Sequence, residues 1–192
     1  MGLAMKQAKT LTERELKLVL AHCATRRHAA RDRLAVLLGH WAGLRAKEIA
    51  ALKRHHVLND DGSIKDSFLL TADETKGRKA RRVFVSTKLQ KEIGTYIQNT
   101  KLREVNPYLL QSQKGISFSA NTMCQLLCQI YKECGIEGAS SHSGRRNFLT
   151  SLSAKCVSVR VIQELAGHAN LATTQRYIDV NEQQMRNAVD LI

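Results

Sequence analysis

Four short stretches hold residue types that can act on a phosphate. The first is Gly43-Leu44-Arg45-Ala46-Lys47-Glu48-Ile49. A glycine break precedes an arginine at a helix start, where a guanidinium joins the helix N-terminus in holding an anion. Glu48 lies three residues on, on the same face, placed either to orient Arg45 or to form an ordinary surface ion pair with it. The second stretch is His142-Ser143-Gly144-Arg145-Arg146. A helical turn brings His142 and Arg145 to one side, setting a proton carrier beside a cation for a phosphate oxygen. This spacing arises often by chance, and Arg146 competes for the role; helical phase favours Arg145. The third is Gly167-His168 followed by Thr173-Thr174-Gln175-Arg176-Tyr177. An unbroken helix at about 100° per residue would put His168 and Tyr177 on opposite faces. Asn170, as a new N-cap, supplies the turn that lets them meet. Taken singly, His168 reads as a satisfied histidine at a helix end and Tyr177 as an amphipathic core tyrosine. The fourth is Lys76-Gly77-Arg78-Lys79, with Arg81 and Arg82 close behind. A lysine there can reach over a substrate as a mobile proton donor, and Arg78, Lys79 and Arg81 suit contact with nucleic-acid phosphates. Spacing alone does not choose between Lys76 and Lys79.

These pieces need a scaffold, and the hydrophobic pattern supplies one. Thr12-Glu13-Arg14-Glu15 is a capping box, and Leu16, Val19 and Leu20 follow at helical spacing. A second helix is expected from about Ala30 to Ala42, ended by Gly43, and a short third from Ala46 to Lys53. Between residues 55 and 86 the period changes. Asn59-Asp60-Asp61-Gly62 is a turn signal, Ser67–Leu70 a strand, and Arg82–Val85 the return strand of a hairpin tipped by Lys76–Lys79. About three antiparallel strands are expected. Ser86, Ser119 and Asn181 are candidate N-caps, with shorter helices over 144–155, 158–167 and 171–177. The fold class is mostly α with a small three-stranded antiparallel sheet (α+β). Residues 1–10 read as a tail and 11–192 as one domain, with no N-terminal helical domain ahead of it.

Composition narrows the partners. The chain has 192 residues, and 30 Lys plus Arg against 17 Asp plus Glu give a formal charge of +13. A charge of that size bears on association with polyanions. No run of about 18 apolar residues occurs, so a spanning helix is excluded and nucleic acid is the better partner. The five cysteines contain no CxxC pair. Cys124 and Cys128, four apart on a helix, would need two further ligands to hold zinc, and reduced cysteines in a cytoplasmic protein fit better. The motif residues include no carboxylate cluster of the kind two-metal nucleases use, and there is no GxxxxGK[ST] for ATP. No metal and no cofactor are expected.

The order GLRxxEI, lysine hairpin, HxxR, then GH with a tyrosine nine residues later resembles the tyrosine recombinase (phage integrase) family, from about Leu11 to Val189. The resemblance implies that Arg45 and Arg145 clamp the scissile phosphate and that Tyr177 is the nucleophile. It implies that His142 and His168 are the site histidines, Lys76 the general acid, and Glu48 the support of the first arginine. It further implies a 3′-phosphotyrosyl intermediate on double-stranded DNA without metal or ATP, and four protomers acting together on DNA from monomers in solution. The apolar tail of Met185, Val189, Leu191 and Ile192 is then placed either on a neighbour or on its own domain. A type IB-like topoisomerase shares the chemistry but acts alone, and a regulator without catalysis would not need the intact set.

Overall fold

The structure is a computed structural model describing residues 7–75, 80–102, 105–114, 117–178, 185–186 and 189–190. Helix α1 (Glu13–Thr25) starts at the expected box: the Thr12 hydroxyl accepts the Glu15 N–H, and the Glu15 carboxylate accepts the Thr12 N–H at 2.8 Å. Helix α2 (Ala29–Ala42) is the central post. Nine of its fourteen residues are buried, including Leu34, Val36, Leu37 and Leu38. A helix covered on most sides needs no polar face, and α2 touches α1 and the later helices over Ala46–Ala51, Thr87–Asn99, Ala120–Glu133 and Ser143–Ala154.

Gly43 ends α2 with φ +63°. A side chain there would be excluded twice: by the left-handed backbone, and by Phe148, whose Cδ1 would lie 2.5 Å from the added Cβ. The chain then turns directly into α3 (Ala46–Ala51), with Arg45 as its N-cap. A single turn, α4 (Arg54–Val57), follows.

The sheet has two strands among the described residues, not three. β1 (Ser67–Leu70) pairs antiparallel with β2 (Arg81–Phe84), Ser67 opposite Phe84 and Leu70 opposite Arg81. The segment expected to supply a third strand is consumed locally. Arg54–Val57 coils into helix, and the turn from Asn59 to Ser63 closes on itself, with Asn59 N–H donating to the Ser63 carbonyl at 2.9 Å. Only one bridge, Leu58 to Ile64, survives of the extra pairing. Strand alternation turns Phe68, Leu70, Arg81 and Val83 inward and Leu69, Arg82 and Phe84 outward.

Helices α5 (Thr87–Asn99) and α6 (Ala120–Glu133) complete the main core with Leu89, Ile93, Met123, Leu127 and Ile130. Helix α7 (Ser143–Ala154) then packs along α2, and Gly144 makes this possible, since a Cβ there would meet the Gly39 backbone at 3.0 Å. Helix α8 (Val159–Ala166) forms a second, smaller apolar cluster with α7 around Leu149, Ile162 and Ala166, which Tyr177, just after α9 (Leu171–Gln175), joins at its edge. The candidate cap Asn181 and the tail residues Leu191 and Ile192 lie outside the described residues, while Met185 and Val189 are exposed. Among the described residues, no helix is long and apolar enough to cross a membrane, and no three His, Cys, Asp or Glu side chains gather as metal ligands.

Candidate active site

The site grows from the break between α2 and α3. With Gly43 turned into the left-handed region, Arg45 caps α3 and projects beside its own first turn. Glu48, fully buried, reaches back: Oε2 accepts the Arg45 backbone N–H at 2.8 Å and Oε1 accepts Arg45 Nη1 at 2.9 Å. A second guanidinium shares this carboxylate. Arg81 donates from Nη2 to Oε2 at 2.7 Å and from Nε to Oε1 at 3.4 Å. Burial alone would push the Glu48 carboxyl up, but Arg81 and then Arg45 more than offset it and hold it below the usual carboxylate range.

Arg81, grouped by sequence with the phosphate-contacting residues of the hairpin, points inward from β2 instead. It is 7% exposed, and Nη1 donates to the Leu165 carbonyl at 2.9 Å. The reason is strand period: Arg81 shares parity with the buried Val83 and Val85, so the pleat sends it inward and Arg82 outward. That signal was present in the sequence. Gly167 completes the seat, with φ +62° and an added Cβ only 2.6 Å from Arg81 Cδ.

Arg145 enters from the first turn of α7 and is also buried. It donates to the Gly43 carbonyl at 2.7 Å, to the Ala166 carbonyl at 2.5 Å, and to His168 Nε2 at 3.1 Å. These bonds tie the end of α2 to the end of α8 and fix the guanidinium plane. Burial, with Arg45 and Arg81 nearby, lowers its pKa to about 9, so it remains a cation at neutral pH.

His168 follows the left-handed Gly167 cap of α8. Burial, then Arg145, depresses its pKa to about 4, so the ring is neutral. Arginine only donates, so Nε2 is the acceptor and Nδ1 carries the proton, given to Thr174 Oγ1 at 2.9 Å. Thr174, fully buried, was not singled out from sequence; nothing distinguished it from Thr173 beside it. Asn170 provides the expected turn, its side chain accepting the Ala172 N–H. The turn brings the Tyr177 ring onto His168, centroids 5.7 Å apart and planes 21° from parallel. Arg146 also lies over the Tyr177 ring, Cζ 5.7 Å from its centroid, and donates to Gln7.

His142 is the N-cap of α7 and exposed, one turn before Arg145. Lys76, Arg78 and Lys79 lie outside the described residues. Their root is held: Lys47 of α3 donates to the carbonyls of Asp73 (3.1 Å) and Thr75 (3.2 Å), a link not anticipated. Arg45, Glu48, Arg81, Arg145, His168 and Tyr177 thus meet in one place, with three guanidinium groups to one carboxylate. An excess of fixed positive charge beside a tyrosine suits a phosphodiester.

Helical scaffold, two-stranded hairpin and this side-chain set define a tyrosine recombinase catalytic domain. The chain belongs to the phage integrase family, whose family model matches residues 9–184. The tyrosine recombinase XerA of Pyrococcus horikoshii is 34% identical over 185 residues, covering 95% of this chain and 60% of the relative. The XerA of Thermococcus kodakarensis is 35% identical, covering 94% and 61%. This chain therefore spans about 60% of the length of those relatives. A crystal structure of XerA recombinase superposes with a TM-score of 0.75 at 25% identity, over 95% of this chain and 64% of that one. A XerH recombinase bound to its difH substrate shares the fold, with a TM-score of 0.71 at 23% identity, over 98% and 55%.

Proposed function

We propose that residues 11–192 are the catalytic domain of a site-specific DNA recombinase, which cuts and rejoins strands through a covalent bond from Tyr177 to a backbone phosphate. The observation that carries this reading is the stacking of Tyr177 on a neutral His168 that is itself bonded to the buried cation Arg145. The similarity to a recombinase crystallised on its DNA substrate supports duplex DNA as the partner.

In this reading Arg45 and Arg145 bind the non-bridging oxygens and stabilise the charge that grows on them; losing one such contact costs about 3 kcal/mol, roughly 100-fold in rate. The Tyr177 oxygen attacks phosphorus and gives its proton to His142. The bond to the 5′ oxygen breaks, and that oxygen takes a proton from Lys76. The products are a 3′-phosphotyrosyl link and a free 5′-hydroxyl. Attack by another 5′-hydroxyl reverses the step on a new partner, so neither ATP nor a metal is consumed. His168 acts in the first instance by holding Arg145. A hydrogen bond from His168 to the phosphate requires Nε2 to give up that arginine and gain a proton. Arg78, Lys79 and Arg146 contact phosphates outside the reacting one. Recombination takes four protomers on two duplexes, assembled on DNA from free monomers.

The test is adduct trapping. Nicked duplexes with a randomised core, which lose a short 5′-hydroxyl fragment on cleavage, are incubated with the chain in EDTA and screened for protein bound covalently at the 3′ side. Wild type should enrich a sequence, and Tyr177→Phe should bind it without forming the adduct. An adduct that persists in Tyr177→Phe would show the nucleophile to be wrong. On a substrate with sulfur in place of the 5′ bridging oxygen, the loss in Lys76→Ala should be rescued while Lys79→Ala gains nothing.

A further inference from the structure

Arg81 has surroundings that neither a DNA contact nor a spare strand residue explains. Its guanidinium forks onto Glu48, through Nη2 at 2.7 Å and Nε at 3.4 Å, whereas the Arg45 side chain reaches Glu48 through Nη1 alone. Its remaining arm holds the Leu165 carbonyl at the end of α8, and Gly167 packs on its stem. Three elements, β2, α3 and α8, therefore fix it. The Arg81 side chain is 5% exposed, while that of Arg45 is 20% exposed.

We propose that Arg81 is a positioning residue for phosphate activation: it occupies the buried Glu48 carboxylate so that the charge of Arg45 stays directed at the substrate. The proposal rests on the recombinase reading above. A fully buried carboxylate must be paired. If Arg45 were its sole partner, the two would close into a bidentate pair with no net charge to offer a phosphate. With Arg81 taking the fork, the three groups keep one net positive charge, carried at the accessible end by Arg45. The alternative is that Arg81 merely pins β2 to α8. A pin would be indifferent to the charge of the substrate, and that difference is measurable.

The experiment compares single-turnover adduct formation on the wild-type-selected nicked duplex, carrying at the scissile position a phosphodiester, a methylphosphonate or a 5′ bridging sulfur. Arg81→Met should form adduct about 30- to 100-fold more slowly on the phosphodiester. On the methylphosphonate, which has no charge to neutralise, the deficit should shrink to about 3-fold. Adding Glu48→Gln to Arg81→Met removes the carboxylate that would otherwise neutralise Arg45 and should recover about 10-fold of the lost rate. If Arg81→Met does not fold, Arg81→Lys, which keeps the charge but not the fork, is read on the same substrates and should show the same shrinkage. An equal deficit on phosphodiester and methylphosphonate would overturn the proposal in favour of a pin, and rescue by the bridging sulfur alone would assign Arg81 to the leaving-group side. An Arg81→Met variant as fast as wild type would sink this proposal only; a wild type that forms no adduct would sink the parent reading with it.

Discussion

Two buried histidines show how the same residue type serves different ends. His168 is neutral because burial and three nearby arginines oppose its charge, and its neutrality is what lets Nε2 accept from Arg145. His40, in the middle of α2, is neutral through burial alone, with a pKa of about 4; Nε2 lies 3.3 Å from the Tyr131 hydroxyl and Nδ1 has no partner among the described residues. It lies outside the catalytic set and so reports on stability. Its ordinary value is 6.5. Above 6.5 both folded and unfolded chains hold it neutral. Below 6.5 the unfolded chain takes a proton that the folded chain refuses until about 4, so stability is lost as pH falls through that window. The gap is worth about 3 kcal/mol. Urea midpoints for wild type should therefore drop between pH 6.5 and 4, and His40→Gln should flatten that drop by about this amount. Parallel curves for the two proteins would assign the acid sensitivity to other groups.

At the scale of elements, glycine breaks aim the side chains. Gly43 carries both the φ of +63° and the contact with Phe148, and the next residue but one is Arg45. Gly43→Ala should cost about 1–3 kcal/mol for the backbone conformation. It should cost more for the clash, and Phe148→Ala should relieve the second part only. Thermal unfolding of the single and double variants separates the two; a double variant as stable as Phe148→Ala alone would mean the backbone conformation is not strained. This break was legible in sequence, as were the α1 capping box, both strands and the Asn170 turn, because each is written in local residue chemistry. The strand count was not, because the Asn59–Gly62 turn signals a reversal but not how many pairs flank it; a single bridge, Leu58 to Ile64, does, and no third strand forms among the described residues. The inward place of Arg81 is hidden for a related reason. Basic residues crowd from Lys76 to Arg82, and charge composition masks the pleat that separates Arg81 from Arg82. The Thr174 bond to His168 and the Lys47 bonds to the hairpin root depend on tertiary approach, for which single-sequence periodicity carries no signal.

For the whole molecule, a formal charge of +13 predicts tight, salt-sensitive association with DNA of any sequence. Burial decides which cations contribute. A cation that neutralises a phosphate releases counterions, and the slope of log K against log salt changes by about 0.9 for each such contact. Arg146 is half-buried beside Tyr177 and is a phosphate contact in the proposed function, whereas Arg81 is buried and spent on Glu48. Removing Arg81 alone would also free Glu48 to neutralise Arg45, so the clean comparison deletes the buried pair together. Binding of a random 30-base-pair duplex, followed by fluorescence anisotropy from 50 to 300 mM KCl, should give the Arg81→Met/Glu48→Gln double variant a slope equal to wild type. Arg146→Ala should lower the slope by about 0.9. If the double variant lowers it by the same amount, the Arg81 guanidinium meets a phosphate directly, and its burial against Glu48 does not describe the DNA-bound state.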